Sequence, residues 1–260
     1  MTYDFRWGFV VFGQIDGYSR LITEMHLSTD NKASSALIVF IKSIKEFGVP
    51  SRVRLDGGTE FNHVETLMNV LNGENRGTVM RGPSVHNQRI ERLWRDVFCK
   101  VLSKFYKLFL HMERHNILDK SNVIHMYSLQ YVFGPRIQNS LKDWTTAHNN
   151  HPIRTEKNQS PKMLWYGGSL ALQNRNITAM NNLFHRDTND VNEIANDFLN
   201  NHNLDEPESI KVVLPRYLPP LTDLQLGELK TTINPFGDSD IEAIDIYSSV
   251  VQFINNCVNM

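Results

Sequence analysis

Leu55-Asp56-Gly57-Gly58-Thr59-Glu60-Phe61 and, further on, His86-Asn87-Gln88-Arg89-Ile90-Glu91-Arg92-Leu93-Trp94-Arg95-Asp96 decide how this chain is read. The first string sets Asp56 after the short run Ser51 to Leu55, which has the character of a strand. The second sets Glu91 beside an apolar stripe at helical spacing: Ile90, Leu93, Trp94, Val97, Phe98, Val101, Leu102 and Phe105. An acid at a strand end and an acid on a helix packed against the sheet are the parts of a metal-dependent phosphoryl-transfer site. Phosphodiesters repel anionic nucleophiles, and divalent ions screen that repulsion, activate a hydroxyl and stabilise the leaving oxygen. Magnesium is a hard ion that takes carboxylate oxygens. Each acid alone has a plainer reading. Asp56-Gly57 is a common turn dipeptide, and Glu91 can pair with Arg95 one turn on, a contact worth little. Asp16-Gly17 is read only as a turn.

Upstream of Asp56 the pattern is strand, strand, helix, strand. Trp7 to Gln14 is an apolar run fit for a buried strand, Gly17-Tyr18-Ser19 a turn, and Arg20 to Leu27 a second strand. Ala36, Leu37, Phe40, Ile41 and Ile44 give a helix over 31–48, ended by Gly48-Val49-Pro50. Glu60 to Leu71 suits a short helix and Thr78-Val79-Met80 a brief strand. Helices are expected from Leu108 to about Asn149, with a break at Gly134-Pro135, a loop from His148 to Pro152, and a short helix from Pro161. His202 to Glu208 reads as a linker. Thr222 with Gln225, and Ser239 with Glu242, have capping-box spacing.

Composition limits the possibilities. A protein of 260 residues with 41% hydrophobic content can bury a real core. The two cysteines, Cys99 and Cys257, form no disulfide framework or zinc motif, and Cys99 is expected as a buried thiol. No apolar run has membrane-spanning length and no signal peptide opens the sequence, which leads to the expectation of an intracellular protein. The net charge of −1 hides a split. Residues 1–168 carry 22 Lys and Arg against 15 Asp and Glu, whereas residues 169–260 carry 5 against 13. Arg89, Arg92, Arg95, Lys100, Lys104 and Lys107 decorate the Glu91 helix, and Arg52 and Arg54 flank the Asp56 strand. Such residues make salt-dependent, sequence-independent phosphate contacts. Trp94 is read as core.

These strings resemble a known family. The Asp56 string resembles the second-aspartate motif of retroviral-type integrases, Asn87 with Glu91 resembles their glutamate helix, and Ile15 to Arg20 resembles the end of their second core strand. Ser84 to Phe98 is similar, more closely, to an integrase-core family of animal genomes related to cut-and-paste transposons. Tyr131 to Ile137, Trp144 and Asn149 to Thr155 belong to the same resemblance, and more weakly so do Ile233-Asn234-Pro235 and Ile244 to Tyr247.

The resemblance implies an α/β, ribonuclease H-like fold. A five-stranded mixed sheet flanked by helices carries three acids that bind two Mg2+ (or Mn2+) ions, for cutting and joining DNA strands. Asp56 would be the second acid and Glu91 the third; Arg95, with Arg92, Arg89 and Asn87, would face DNA. The first acid aligns just before Met1. Asp4, several residues out of register, is the nearest substitute. The sequence is thus expected to begin part-way through the first strand. The domain reading is an integrase-like core over 1–168 and an acidic, mainly helical extension over 169–260. DNA is the expected partner, self-association is possible, and a DNA-acting protein would be nuclear. The alternative is a domesticated, non-catalytic DNA- or protein-binding module on the same fold.

Overall fold

A computed structural model describes residues 1–74, 76–82, 88–173, 188–201, 217 and 221–258. Three antiparallel strands open the molecule: β1 (Thr2–Phe5), β2 (Phe9–Ile15) and β3 (Ile22–Ser28). Helix α1 (Ala33–Phe47) crosses to β4 (Val53–Leu55), and α2 (Asn62–Asn72) leads to β5 (Val79–Arg81), which runs parallel to β4. Helix α3 (Gln88–Val97) continues through a π-helical turn (Phe98–Leu102) into α4 (Ser103–Arg114). The rest is helical: α5 (Val123–Asn150), α6 (Pro161–Gln173), α7 (Thr188–Asn201), α8 (Asp223–Thr232) and α9 (Ile244–Val258). The 202–208 segment read as a linker lies outside the described residues. Among those described, no helix is long and apolar enough to cross a membrane.

Strand β2 shows why the sheet sits in the middle. Side chains alternate across a strand. Phe9 and Val11 join a core with α3, α4, α5 and α9, whereas Val10 and Phe12 join a second core with α1, α2 and α7. Both faces of the strand are therefore buried, which explains its nearly unbroken apolar run. The stripe of the Glu91 helix is buried as its spacing predicts, with Phe98 half-covered, and it extends through Phe109 and Met112. Removing one such large ring leaves a cavity and costs about 3–5 kcal/mol. The late helices are part of these cores. Val191, Ala195, Phe198 and Leu199 of α7 pack in one, and Tyr247, Val250 and Ile254 of α9 in the other.

Several expectations are corrected. Trp7 and Gly8 are a turn rather than strand: both take positive φ, 69° and 73°. A non-glycine residue there is strained, and Trp7 is held by burial and by its indole N–H, which donates to Glu113 at 2.6 Å. The five strands form two hydrogen-bonded sheets, β1-β2-β3 and β4-β5, rather than one. Pairing of β1 with β2 ends at Met1 opposite Gly13, and a cavity of about 1010 Å³ opens between the end of β2 and β4.

Pro135 does not break its helix. It lies inside α5, whose surroundings include the apolar neighbours Phe133, Ile137 and Leu141. The break falls earlier, where Asn116 turns left-handed (φ 56°) and the Asn122 carboxamide oxygen caps α5 by accepting from Ile124 N and His125 N. His148 to Asn150 are helical, and Asn149 binds both backbone groups of Ile22, accepting from its N–H and donating to its C=O, each at 2.9 Å.

Thr222 and Gln225 form the expected capping box, but Ser239 does not cap α9. Glu242 and Ala243 take positive φ, so the helix begins at Ile244. Cys99 is exposed. Two residues after buried Val97 it lies about 200° round the helix, away from the stripe.

Candidate metal and nucleic-acid site

Asp56 stands just past the end of β4, half-buried. Its loop is built rather than open. Gly58 N approaches Asp56 Oδ1 at 3.5 Å. Gly57 has free space around it, but the Glu60 carboxylate folds over Gly58 so closely that a Cβ there would displace it. Thr2 Oγ1 donates to Glu60 Oε1 at 3.3 Å, tying this loop to β1, and Met1 lies in the field of both Asp56 and Glu60. Arg81, the last residue of β5, clamps the loop from the other side. It donates to Gly58 O (3.1 Å), Asn62 Oδ1 (2.7 Å) and Glu65 Oε2 (2.7 Å).

Glu91 is exposed in the first turn of α3, where the helix dipole favours a carboxylate. The helix is seated by Ile90, Leu93 and Trp94. The Trp94 ring lies over Gly13 of β2, where an added Cβ would come 2.5 Å from it, and its centroid is 5.8 Å from that of Tyr3. Trp94 is core, as its place in the stripe predicts. Glu91 makes no ion pair with Arg95 among the described residues, so the surface-pair reading does not hold. Leu55, before Asp56, and Ile90, before Glu91, line the same cavity. The sequence neighbours of the two acids therefore meet at one void.

Asp4 is elsewhere. Tyr3 and Phe5 reach the α3–α4 rod, with ring centroids 6.5 Å from Phe98 and from Tyr106, so strand alternation turns Asp4 to the opposite face of β1. Asp16 is a turn residue: its Oδ2 accepts from Tyr18 N, Ser19 N and Ser19 Oγ. Among the described residues, no group of three or more His, Cys, Asp or Glu is placed to hold a metal ion. Two carboxylates remain, a donor set that suits one magnesium ion completed by water and phosphate oxygens.

The basic residues stay on the surface. Arg89, Arg92, Arg95, Lys100 and Lys107 are exposed, and none is ion-paired among the described residues. Lys104 is partly occupied, donating to Ser140 Oγ and lying 4.7 Å from the Phe105 ring centre. Asn87 and His86 lie outside the described residues. Arg81 and Tyr18, the latter in the β2–β3 turn beside the cavity, carry no local signal in the sequence; their places come from long-range packing.

A family model described as an integrase core domain matches residues 3–179. No curated protein and no solved structure matches the sequence.

Proposed function

We propose, from the premise that this chain belongs to the integrase core domain family, that it is a transposon-derived protein that binds DNA along α3 and α4 with Asp56 and Glu91 as its metal-holding acids. The observation that carries this reading is the common cavity reached by the ends of β4 and α3. Asp56 and Glu91 would hold a Mg2+ or Mn2+ ion, which when bound screens the phosphate charge and activates an attacking hydroxyl. Arg81 keeps the Asp56 loop in position through Gly58 O. Arg89, Arg92 and Arg95 would meet backbone phosphates; Asn87 joins them by resemblance alone.

A second reading is favoured by one observation: no third acid joins Asp56 and Glu91 among the described residues. In that case the protein is a non-catalytic DNA-binding module on the same fold.

The test has two arms. Duplex DNA affinity is measured against salt, and a steep decline supports a phosphate-contacting surface while a flat response rejects it. Strand transfer is then assayed with Mg2+ or Mn2+, with Glu91→Gln as control. Activity abolished by that change supports the catalytic reading. Salt-sensitive binding without activity supports the module, and activity surviving the change excludes the assigned acids.

A further inference from the structure

The cavity between β2 and β4 has two chemistries on its walls. Its interior is apolar, with Phe12, Val39, Phe40 and Ile44, while the ionisable side chains that line it are Arg52, Arg54, Arg89 and Asp16. Asp16 is already engaged by its turn, accepting from Ser19 N and Ser19 Oγ at 2.7 Å each. The lining thus favours an anion at the rim and a flat apolar group within. At about 1010 Å³ it has the size of a ligand-binding cleft, too narrow for a duplex.

Tyr18 stands at this rim with 69% of its surface exposed, unusual for an aromatic side chain held so firmly at its backbone. The turn around it is closed by Asp16 N to Leu21 O (2.7 Å) and Arg20 N to Asp16 O (3.1 Å). The ring itself is backed by α6. A Cβ at Gly168 would come 3.0 Å from Tyr18 Cε1, so glycine is what lets the ring lie down there. The result is a braced aromatic platform with an open side, next to three arginines.

We infer that this cavity takes the unpaired end of a DNA strand, its base stacked on Tyr18 and its phosphates held by Arg52, Arg54 and Arg89. The inference rests on the DNA-binding reading above and adds the form of the substrate. A base offers a π-face and an adjacent anion, which match an exposed aromatic ring beside guanidinium groups. A free phosphate would use the arginines and leave the apolar interior without a partner.

The test compares a blunt duplex with one bearing a three-nucleotide single-stranded end, both fluorescently labelled, on the full-length protein. The frayed duplex should bind about tenfold more tightly, the size of one stacked base. Tyr18→Ala should remove that preference while leaving blunt-duplex affinity and its salt dependence unchanged; Tyr18→Trp should retain it. A 2-aminopurine placed in the unpaired end should be quenched by the wild-type protein and not by Tyr18→Ala. Equal affinity for the two duplexes, or a preference that survives Tyr18→Ala, overturns the inference while the DNA reading stands. Loss of self-association with unchanged DNA binding in Tyr18→Ala also overturns it, assigning the ring to a protein contact. Failure to bind either duplex overturns both.

Discussion

Arg81 Nη1 donates to the carbonyl oxygen of Gly58 at 3.1 Å, so the last residue of one strand holds the loop that follows its neighbour. The same guanidinium reaches Asn62 and Glu65, which fixes the start of α2 relative to Asp56. A metal-binding carboxylate works only if it is held in place, and this fork is what restrains the Asp56 loop.

Arg81→Ala should therefore loosen the loop without unfolding the protein. The ion pair with Glu65 is part-exposed, so the loss of global stability should be modest, about 1 kcal/mol. Hydrogen exchange should accelerate at the Gly57 and Gly58 amides and stay unchanged in α5. Unchanged exchange at the loop would show that Arg81 does not restrain it.

Gly13→Ala should destabilise the protein by about 1–3 kcal/mol, because the added methyl group meets the buried Trp94 ring. Urea unfolding measures this. Trp94→Leu in the same molecule should make the Gly13→Ala change less costly, a non-additivity expected of groups in contact. Additive losses would mean that ring and strand do not touch.

Arg136→Ala should release the segment that follows α8 from its seat on α5. Arg136 donates to Pro235 O at 2.7 Å and to Gly237 O at 2.9 Å, and Tyr131 Oη donates to Ile233 O at 3.0 Å. A hydrogen bond from a charged donor contributes about 1.5–3 kcal/mol. Limited proteolysis should cut near residues 233–238 faster in the variant, and equal cleavage rates would contradict the contact.

Stability should fall in mild acid because of His26. Burial, with the Lys42 ammonium nearby, lowers its pKa to about 4 from an ordinary 6.5. The unfolded protein then binds this proton before the folded one does. Stability is full above about pH 6.5 and declines as pH falls towards 4, by on the order of 1–3 kcal/mol. Glu24 acts in the opposite direction: burial raises its pKa, while Lys42 at 2.9 Å partly offsets that. His26→Gln should flatten the decline in pH-dependent urea melts; an unaltered slope would assign it to other groups.

What could be read in the sequence was the regular part. The stripe from Ile90 to Phe105 needs only helical spacing, and Asp16-Gly17 needs only turn chemistry; both stand in the structure. Trp7-Gly8 was not legible, since an apolar run does not reveal a turn whose strain is offset by a distant Glu113. Pro135 misled because a proline weakens a helix locally, whereas the packing of α5 keeps it intact. The acids were visible because each lies at the edge of a patterned element. Arg81 and Tyr18 were not, because what gives them meaning is a neighbour far along the sequence: Gly58 for one, Gly168 for the other.

The most direct experiment is a Mn2+ titration of four proteins followed by electron paramagnetic resonance: the wild type, Asp56→Asn, Glu91→Gln and the double variant. If both carboxylates hold one ion, each single change should weaken binding by tenfold or more, and the second change should add little to the first. Affinities that stay at the wild-type value in either single variant, or losses that simply add, would place the two acids at separate locations and remove the basis for the metal site.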